Sequence, residues 1–199
     1  MAPSMAVRAE PGSPSAKIAA VILCAALCLA APAIARAQAA APPTGASGGD
    51  AQALVRLATQ RFGTLSTAEM RLAESAPMRM LRWLGPANGS SNPANDSTHG
   101  DKWGPERTVR AEFVEWLAAD PDAARLVHPS GLGIAGASIE GELDLSYRSV
   151  DKPITIVSCY VPGGIDLSSA NLAGFTARRS NIGSISGNET NINGDLAIQ

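Results

Sequence analysis

Three kinds of hydrophobic spacing follow one another along the chain. Ile18 to Ala33 runs without a charge behind a lead carrying Arg8 and Lys17, and Ala35-Arg36-Ala37 precedes Gln38. A basic start, an apolar stretch and a small-x-small site in that order predict a secretory signal peptide over residues 1–37. The run falls short of the ~20 apolar residues that span a bilayer, so an uncleaved inner-membrane anchor over residues 18–35 is the alternative. Neither Cys24 nor Cys28 follows a small residue, which argues against a lipoprotein. Residues 38–50 are mostly Ala, Pro, Gly and Ser with little to pack, and read as a flexible linker.

From residue 51 to 130 the spacing is helical. Asp50 can cap a helix from Ala51 to Phe62 whose Leu54, Val55, Ala58 and Phe62 share one face, and Gly63 stops it. Ser66 and Glu69 have capping-box spacing for a second short helix with Met70 and Leu72. Met78, Leu81, Trp83 and Leu84 follow among Arg79 and Arg82, and residues 85–101 form a polar loop. Pro105 suits a first helical turn. Val109, Phe113, Trp116 and Leu117 then lie at i, i+4, i+7 and i+8, predicting the best helix of the chain with a Glu106–Arg110 pair on its wet side. Asp120-Pro121 ends it and starts another short turn, and His128-Pro129-Ser130-Gly131 breaks the pattern.

Beyond residue 131 the period becomes five. From Ile165 the units read Ile-Asp-Leu-Ser-Ser, Ala-Asn-Leu-Ala-Gly, Phe-Thr-Ala-Arg-Arg, Ser-Asn-Ile-Gly-Ser, Ile-Ser-Gly-Asn-Glu, Thr-Asn-Ile-Asn-Gly and Asp-Leu-Ala-Ile-Gln. First and third positions are mostly apolar or small, and Asn171, Asn181 and Asn191 recur every ten residues. Ala137–Leu145 repeats as Cys159–Leu167, 22 residues on, and as Thr190–Ile198, 53 residues on. Units this short cannot bury their own apolar pair. They bury it only by stacking, which predicts a solenoid with Leu167, Leu172 and Ile182 inside and parallel ladders about 4.8 Å apart. Gly187, Ala177 and Ala197 interrupt the third-position column. The repeats stop at Leu196-Ala197-Ile198, within a strand-like unit, so the natural chain is expected either to continue past Gln199 or to associate through that open edge.

Ala170-Asn-Leu-Ala-Gly, Ser180-Asn-Ile-Gly-Ser and Thr190-Asn-Ile-Asn-Gly resemble the motif of pentapeptide-repeat proteins. Trp103-Gly-Pro-Glu-Arg-Thr-Val-Arg-Ala-Glu-Phe, followed by Ile139-Glu-Gly-Glu-Leu-Asp-Leu, is similar to uncharacterised bacterial proteins that join a helical lead to such repeats. The resemblance covers about residues 102–199. It implies a right-handed, four-sided parallel β-helix over residues 131–199, preceded by the short α-helical segment, in a mainly β fold.

Charge and composition then narrow the function. A net charge of −2, with seven acids against four bases over residues 137–199, leaves no field for nucleic acid and too little for phosphate mimicry. Without residues 1–37 only Cys159 remains, in a small interior-type position, so no intrachain disulfide is available. His99 and His128 have no metal-ligand spacing, and neither a metal nor a cofactor is expected. Gly131-Leu-Gly-Ile-Ala-Gly136 matches a dinucleotide fingerprint in letters but lacks the following helix, so its glycines are assigned to the turn into the first coil. Asn88, Asn95 and Asn188 head glycosylation triplets that matter only in a glycosylating secretory pathway.

Asp144 and Asp166 are the candidates for chemistry. Each lies between apolar residues and therefore points outward, and the 22-residue offset stacks one over the other. Two such carboxylates can share a proton, hold a cation, or serve a retaining glycosidase; the simpler alternative is a solvated pair beside Arg148. Trp103 and Trp116 are assigned to packing, Arg178-Arg179 to a solvated corner. The expected function is a non-catalytic exported repeat protein, periplasmic or extracellular, acting as an interaction or scaffold module on a protein partner or on itself. The alternative is an envelope carbohydrate-active enzyme using outward-facing acids.

Overall fold

The structure, a computed structural model, describes residues 47–79, 81–86 and 89–199. The signal peptide over 1–37, the anchor reading of 18–35, most of the linker and Asn88 lie outside the described residues. Among those described, no helix is long and apolar enough to cross a membrane.

The lead opens with α1 (Ser47–Phe62), which begins four residues before the predicted start and holds Asp50 in its first turn. Leu54 and Ala58 are fully buried. Gly63, at φ +70, closes the helix by donating its N–H to the Thr59 carbonyl. The predicted capping box forms at the start of α2 (Thr67–Ser75): Ser66 Oγ accepts the Glu69 N–H and Glu69 accepts the Ser66 N–H. β1 (Arg82–Trp83) follows, and three short 3-10 turns occupy most of the polar loop.

The helix predicted from Pro105 begins later. Pro105 sits in a turn in which Arg107 and Thr108 donate to the Gly104 and Pro105 carbonyls, and Thr108–Arg110 is β2. Val109 is therefore a ladder residue opposite Ile139, and α3 is Ala111–Ala119, burying Phe113, Trp116 and Leu117. The β-branched pair Thr108-Val109 takes the free edge of the solenoid, which offers more backbone hydrogen bonds than two more residues of helix do. The Glu106–Arg110 pair gives way to an Arg110–Glu69 ion pair at 2.7 Å. Asp120 then caps α4 (Pro121–Ala124) through the N–H groups of Asp122 and Ala123.

The solenoid is built coil by coil. The first coil holds β3 (Leu132–Ala135), β4 (Ser138–Glu140), β5 (Leu143–Asp144) and β6 (Ser149–Val150). The second holds β7 (Ile154–Val157), β8 (Tyr160–Val161), β9 (Ile165–Asp166) and β10 (Asn171–Leu172). The third holds β11 (Phe175–Arg178), β12 (Asn181–Ile182), β13 (Ile185–Ser186) and β14 (Asn191–Ile192), and β15 (Leu196–Ile198) opens the next. Four parallel sheets result, β1-β3-β7-β11-β15, β2-β4-β8-β12, β5-β9-β13 and β6-β10-β14. This is the expected parallel β-solenoid, with about three turns over residues 132–198. The lead contributes a strand to two of its four faces.

Interior columns run through the coils. Leu132, Ile154, Phe175 and Leu196 stack on one face, and Ile134, Ile156, Ala177 and Ile198 beside them. Val109, Ile139, Val161 and Ile182 follow the second face, Leu143, Ile165 and Ile185 the third, and Val150, Leu172 and Ile192 the fourth. The faces are constant and the corners are not. Three residues, 151–153, separate Val150 from Ile154, but only 173–174 separate Leu172 from Phe175. The register consequently passes from 22 residues (Leu132 to Ile154) to 21 (Ile154 to Phe175), and to 20 on the third face (Ile165 to Ile185).

Corner length also corrects the five-residue frame. Residues 193–195 make a three-residue corner, so Leu196 and Ile198 take the interior columns and Ala197 pairs with the outward Thr176. Ala197 is thus no gap in the core, and the likeness of Thr190–Ile198 to Ala137–Leu145 reflects no stacking. Non-glycine residues with positive φ turn the corners: Tyr147, Ser169 and Glu189 in one column, Ser158 and Arg179 in another.

Candidate functional site

Asp144 and Asp166 are brought together as the repeat predicted, directly opposite each other in the β5–β9 ladder, with Ser186 next in the column. Their carboxylates have local work. Asp144 Oδ1 accepts the Ser146 N–H at 2.9 Å, and Asp166 Oδ1 accepts the Ser168 N–H at 2.8 Å. Each acid thereby holds the backbone as it turns into a left-handed corner residue, Tyr147 or Ser169. The Ser146 bonds, with help from the Arg148 charge, hold the Asp144 carboxyl below the usual carboxylate range. An acid kept ionised in this way is a turn acceptor rather than a proton donor.

A third carboxylate joins them from the lead. Glu115 Oε1 on α3 accepts the Asp144 N–H at 2.9 Å, occupying the edge of β5 that faces away from the second coil. Burial pushes the Glu115 carboxyl above its ordinary value, and the Asp144 N–H and the Arg148 charge only partly offset this. The arrangement finishes a sheet edge.

The lead is tied to the solenoid by two basic residues whose roles sequence spacing did not disclose. Arg107, buried to 4% exposure, donates Nε to the Gly136 carbonyl at 2.8 Å, Nη1 to the Ala94 carbonyl at 2.8 Å and Nη2 to Asn95 Oδ1 at 3.0 Å. Its guanidinium lies 3.5 Å from the Trp103 ring centroid. Asn95 in turn donates to the Pro86 and Gly89 carbonyls and is itself buried, so its glycosylation triplet is unavailable. Lys152, in the three-residue corner of the first coil, donates Nζ to the Ala124 carbonyl at the end of α4 and to the Val127 carbonyl beyond it. The one signal for Arg107 was an arginine followed by the β-branched pair Thr108-Val109, too common a sequence to mark a buried guanidinium.

The other sequence candidates fall into structural places. The strand β3 lies inside the Gly131–Gly136 motif, β4 follows it, and its end glycines adopt φ +101 and +64. A side chain at Gly131 would collide with the Pro153 carbonyl, in the corner that leads into the second coil. Cys159 is fully buried, and desolvation pushes its thiol up to about 11, which makes it unreactive at neutral pH. His99 sits beside Thr98 and Asp96, His128 beside Ser130, each at a turn. Trp116 packs edge-on to Phe62 at 5.5 Å inside the lead, Trp103 lies under Arg107, and Arg178 and Arg179 are exposed at a corner. Among the described residues no group of three His, Cys, Asp or Glu could hold a metal ion.

Ile185 is 37% exposed, Leu196 55% and Ile198 53%, although each extends a column that is buried in the coils before it. Comparison of the chain with protein-family models, with curated proteins and with solved structures returns no match. The class that the fold itself defines is a parallel β-solenoid with a helical lead packed on its first coil.

Proposed function

We propose that this chain is an exported, non-catalytic repeat protein of the cell envelope that works as an interaction or scaffold module. Its repeats are read as pentapeptide repeats, a reading supported by four faces, coils of 20 to 22 residues and small residues such as Ala137, Cys159 and Ala170 at inward-turning positions. The observation that carries the interaction reading is the exposure of apolar Ile185 on the third coil and of Leu196 and Ile198 on the strand β15 that follows it. The partner is a protein surface, or a second copy of this chain, that extends these columns. The competing enzymatic reading finds Asp144 and Asp166 already engaged as turn acceptors.

Light scattering on the full chain tests the interaction. The wild type should associate at micromolar concentration, and the double substitution Leu196→Asp, Ile198→Asp should give a monomer with unchanged circular dichroism. A wild type that stays monomeric and captures no envelope protein that the double variant fails to capture would sink the reading. Export is tested by the mass of the protein from the producing cell. A soluble envelope species beginning near Gln38 is expected; a membrane-bound species retaining residues 18–35 would replace export with anchoring.

A further inference from the structure

A cleft of about 470 Å³ opens where the start of α2 meets the β2–β4 ladder. Trp103, Pro105, Arg110, Glu140, Thr64 and Ser66 line it, with Glu69 behind. Arg110 and Glu140 are register partners, so their side chains leave adjacent strands on the same side. They make no ion pair. Arg110 instead sends Nε and Nη2 to the buried Glu69 carboxylate at 2.7 and 2.8 Å. Glu69 also accepts the Ser66 and Arg110 N–H groups, Ser66 Oγ donates to the Thr108 carbonyl, and Thr108 Oγ1 donates to the Gly104 carbonyl. The frame of the cleft is held by its own bonds, which fix Glu69, Arg110, Ser66 and Thr108.

Two charged groups are left over. Among the described residues the exposed Glu140 carboxylate has no hydrogen-bond or ion-pair partner, and neither has Arg110 Nη1. They present an acceptor and, anchored through Glu69, a donor beside an indole and a proline ring. Charge then selects the ligand. An anion meets Glu140 and Glu69. A cation meets the Arg110 guanidinium, which stands in the same cleft. A purely apolar ligand would strip water from Glu140 without replacing its hydrogen bonds.

A pyranose ring meets each condition: it is uncharged, its hydroxyls both donate and accept, and its C–H face suits an aromatic surface. We infer that this cleft is a binding subsite for a neutral saccharide residue, with Glu140 and Arg110 on its hydroxyls and Trp103 against its ring. The inference does not rest on the interaction reading, since the residues lie on the lead and first coil, away from Ile185, Leu196 and Ile198.

The test is calorimetric titration of the full chain with neutral trisaccharides of glucose, N-acetylglucosamine, mannose and galactose. At least one should saturate with a dissociation constant of about 1 mM or tighter. Glu140→Ala, at an exposed position that leaves the fold intact, should weaken it about tenfold through loss of a charge-assisted hydrogen bond. Trp103→Phe, which keeps a ring under Arg107, should weaken it by a smaller factor. Glu142→Ala, two residues away and outside the cleft, should change nothing. Absence of binding by all four sugars at about 10 mM, equal binding by Glu140→Ala, or tighter binding of a trilysine or triglucuronate probe would each overturn the assignment.

Discussion

The two ends of the solenoid are made from the same kind of sequence and meet different fates. In the first coil Ile134 and Leu143 are completely buried; at the far end their column partners Ile198 and Ile185 are more than a third exposed. The difference lies in the neighbour. On the first side α3 lies over β5, β1 and β2 extend two ladders, and Glu115 takes the N–H that β5 turns outward. An apolar repeat position is therefore only half of an instruction, and a coil on each side supplies the rest.

The comparison breaks most visibly within one column. Phe175 is fully buried between Ile154 and Leu196, whereas Leu196 is 55% exposed. Phe175→Ala should cost about 3–5 kcal/mol and Leu196→Ala less than about 1 kcal/mol, both read from urea denaturation. Equal costs would mean that the last coil is covered in solution.

The next largest effect belongs to the lead. Burial alone would raise the Glu69 carboxyl, but the Arg110 side chain and the Ser66 and Arg110 N–H groups together bring it below its ordinary value of 4.5. A depressed carboxylate stabilises the fold above its unfolded value and ceases to do so as pH falls through the folded one. Glu69→Gln should cost about 2–3 kcal/mol at neutral pH, less than a fully enclosed pair because Arg110 is partly exposed. The gap between wild type and variant should close as the pH is lowered below 4.5. A gap independent of pH would assign the loss to packing.

Glu115 should behave with the opposite sign. Its carboxyl is raised by burial, so its share of stability is present below the ordinary value of 4.5 and falls as pH rises through the folded one. Glu115→Gln keeps an acceptor for the Asp144 N–H and removes that fall; it should equal or exceed the wild type at pH 7. Glu115→Ala removes the acceptor and should lose about 1 kcal/mol. If both substitutions have the same effect, the Asp144 N–H is satisfied by water and α3 covers the edge through its apolar face alone.

The stacked repeat and the Asp144–Asp166 register were legible because local apolar spacing encodes a face directly, while the four sides came only from the resemblance to pentapeptide repeats. What depends on distance along the chain was not legible. Val109 has the spacing of a helix with Phe113 and Trp116, and only the presence of Ile139 beside it makes it a strand residue. Asp195 read as the first residue of a five, because nothing local distinguishes a three-residue corner from a two-residue one. Asp144 and Asp166 were placed correctly, yet their acceptor role needed the Ser146 and Ser168 N–H directions. The cleft residues Glu69, Arg110 and Glu140 come from three separate segments, and no motif could join them.

The smallest predicted effect bears on the one column that the third coil leaves empty. Leu145 and Leu167 fill it in the first two coils, and Gly187 follows them. A side chain there would meet only Thr190 Oγ1, at 3.3 Å, and the backbone of Gly187 is outside the left-handed region. Gly187→Ala should therefore stabilise by about 0.4–1 kcal/mol, chiefly by restricting the unfolded chain. Gly187→Leu adds a question about the end of the solenoid. A leucine on top of Leu167 gains from burial only if something covers its far side. Equal stabilisation by Ala and Leu in thermal melts would show an end open to water at this corner. A clear advantage for Leu, growing with protein concentration, would show that a second copy supplies the next coil.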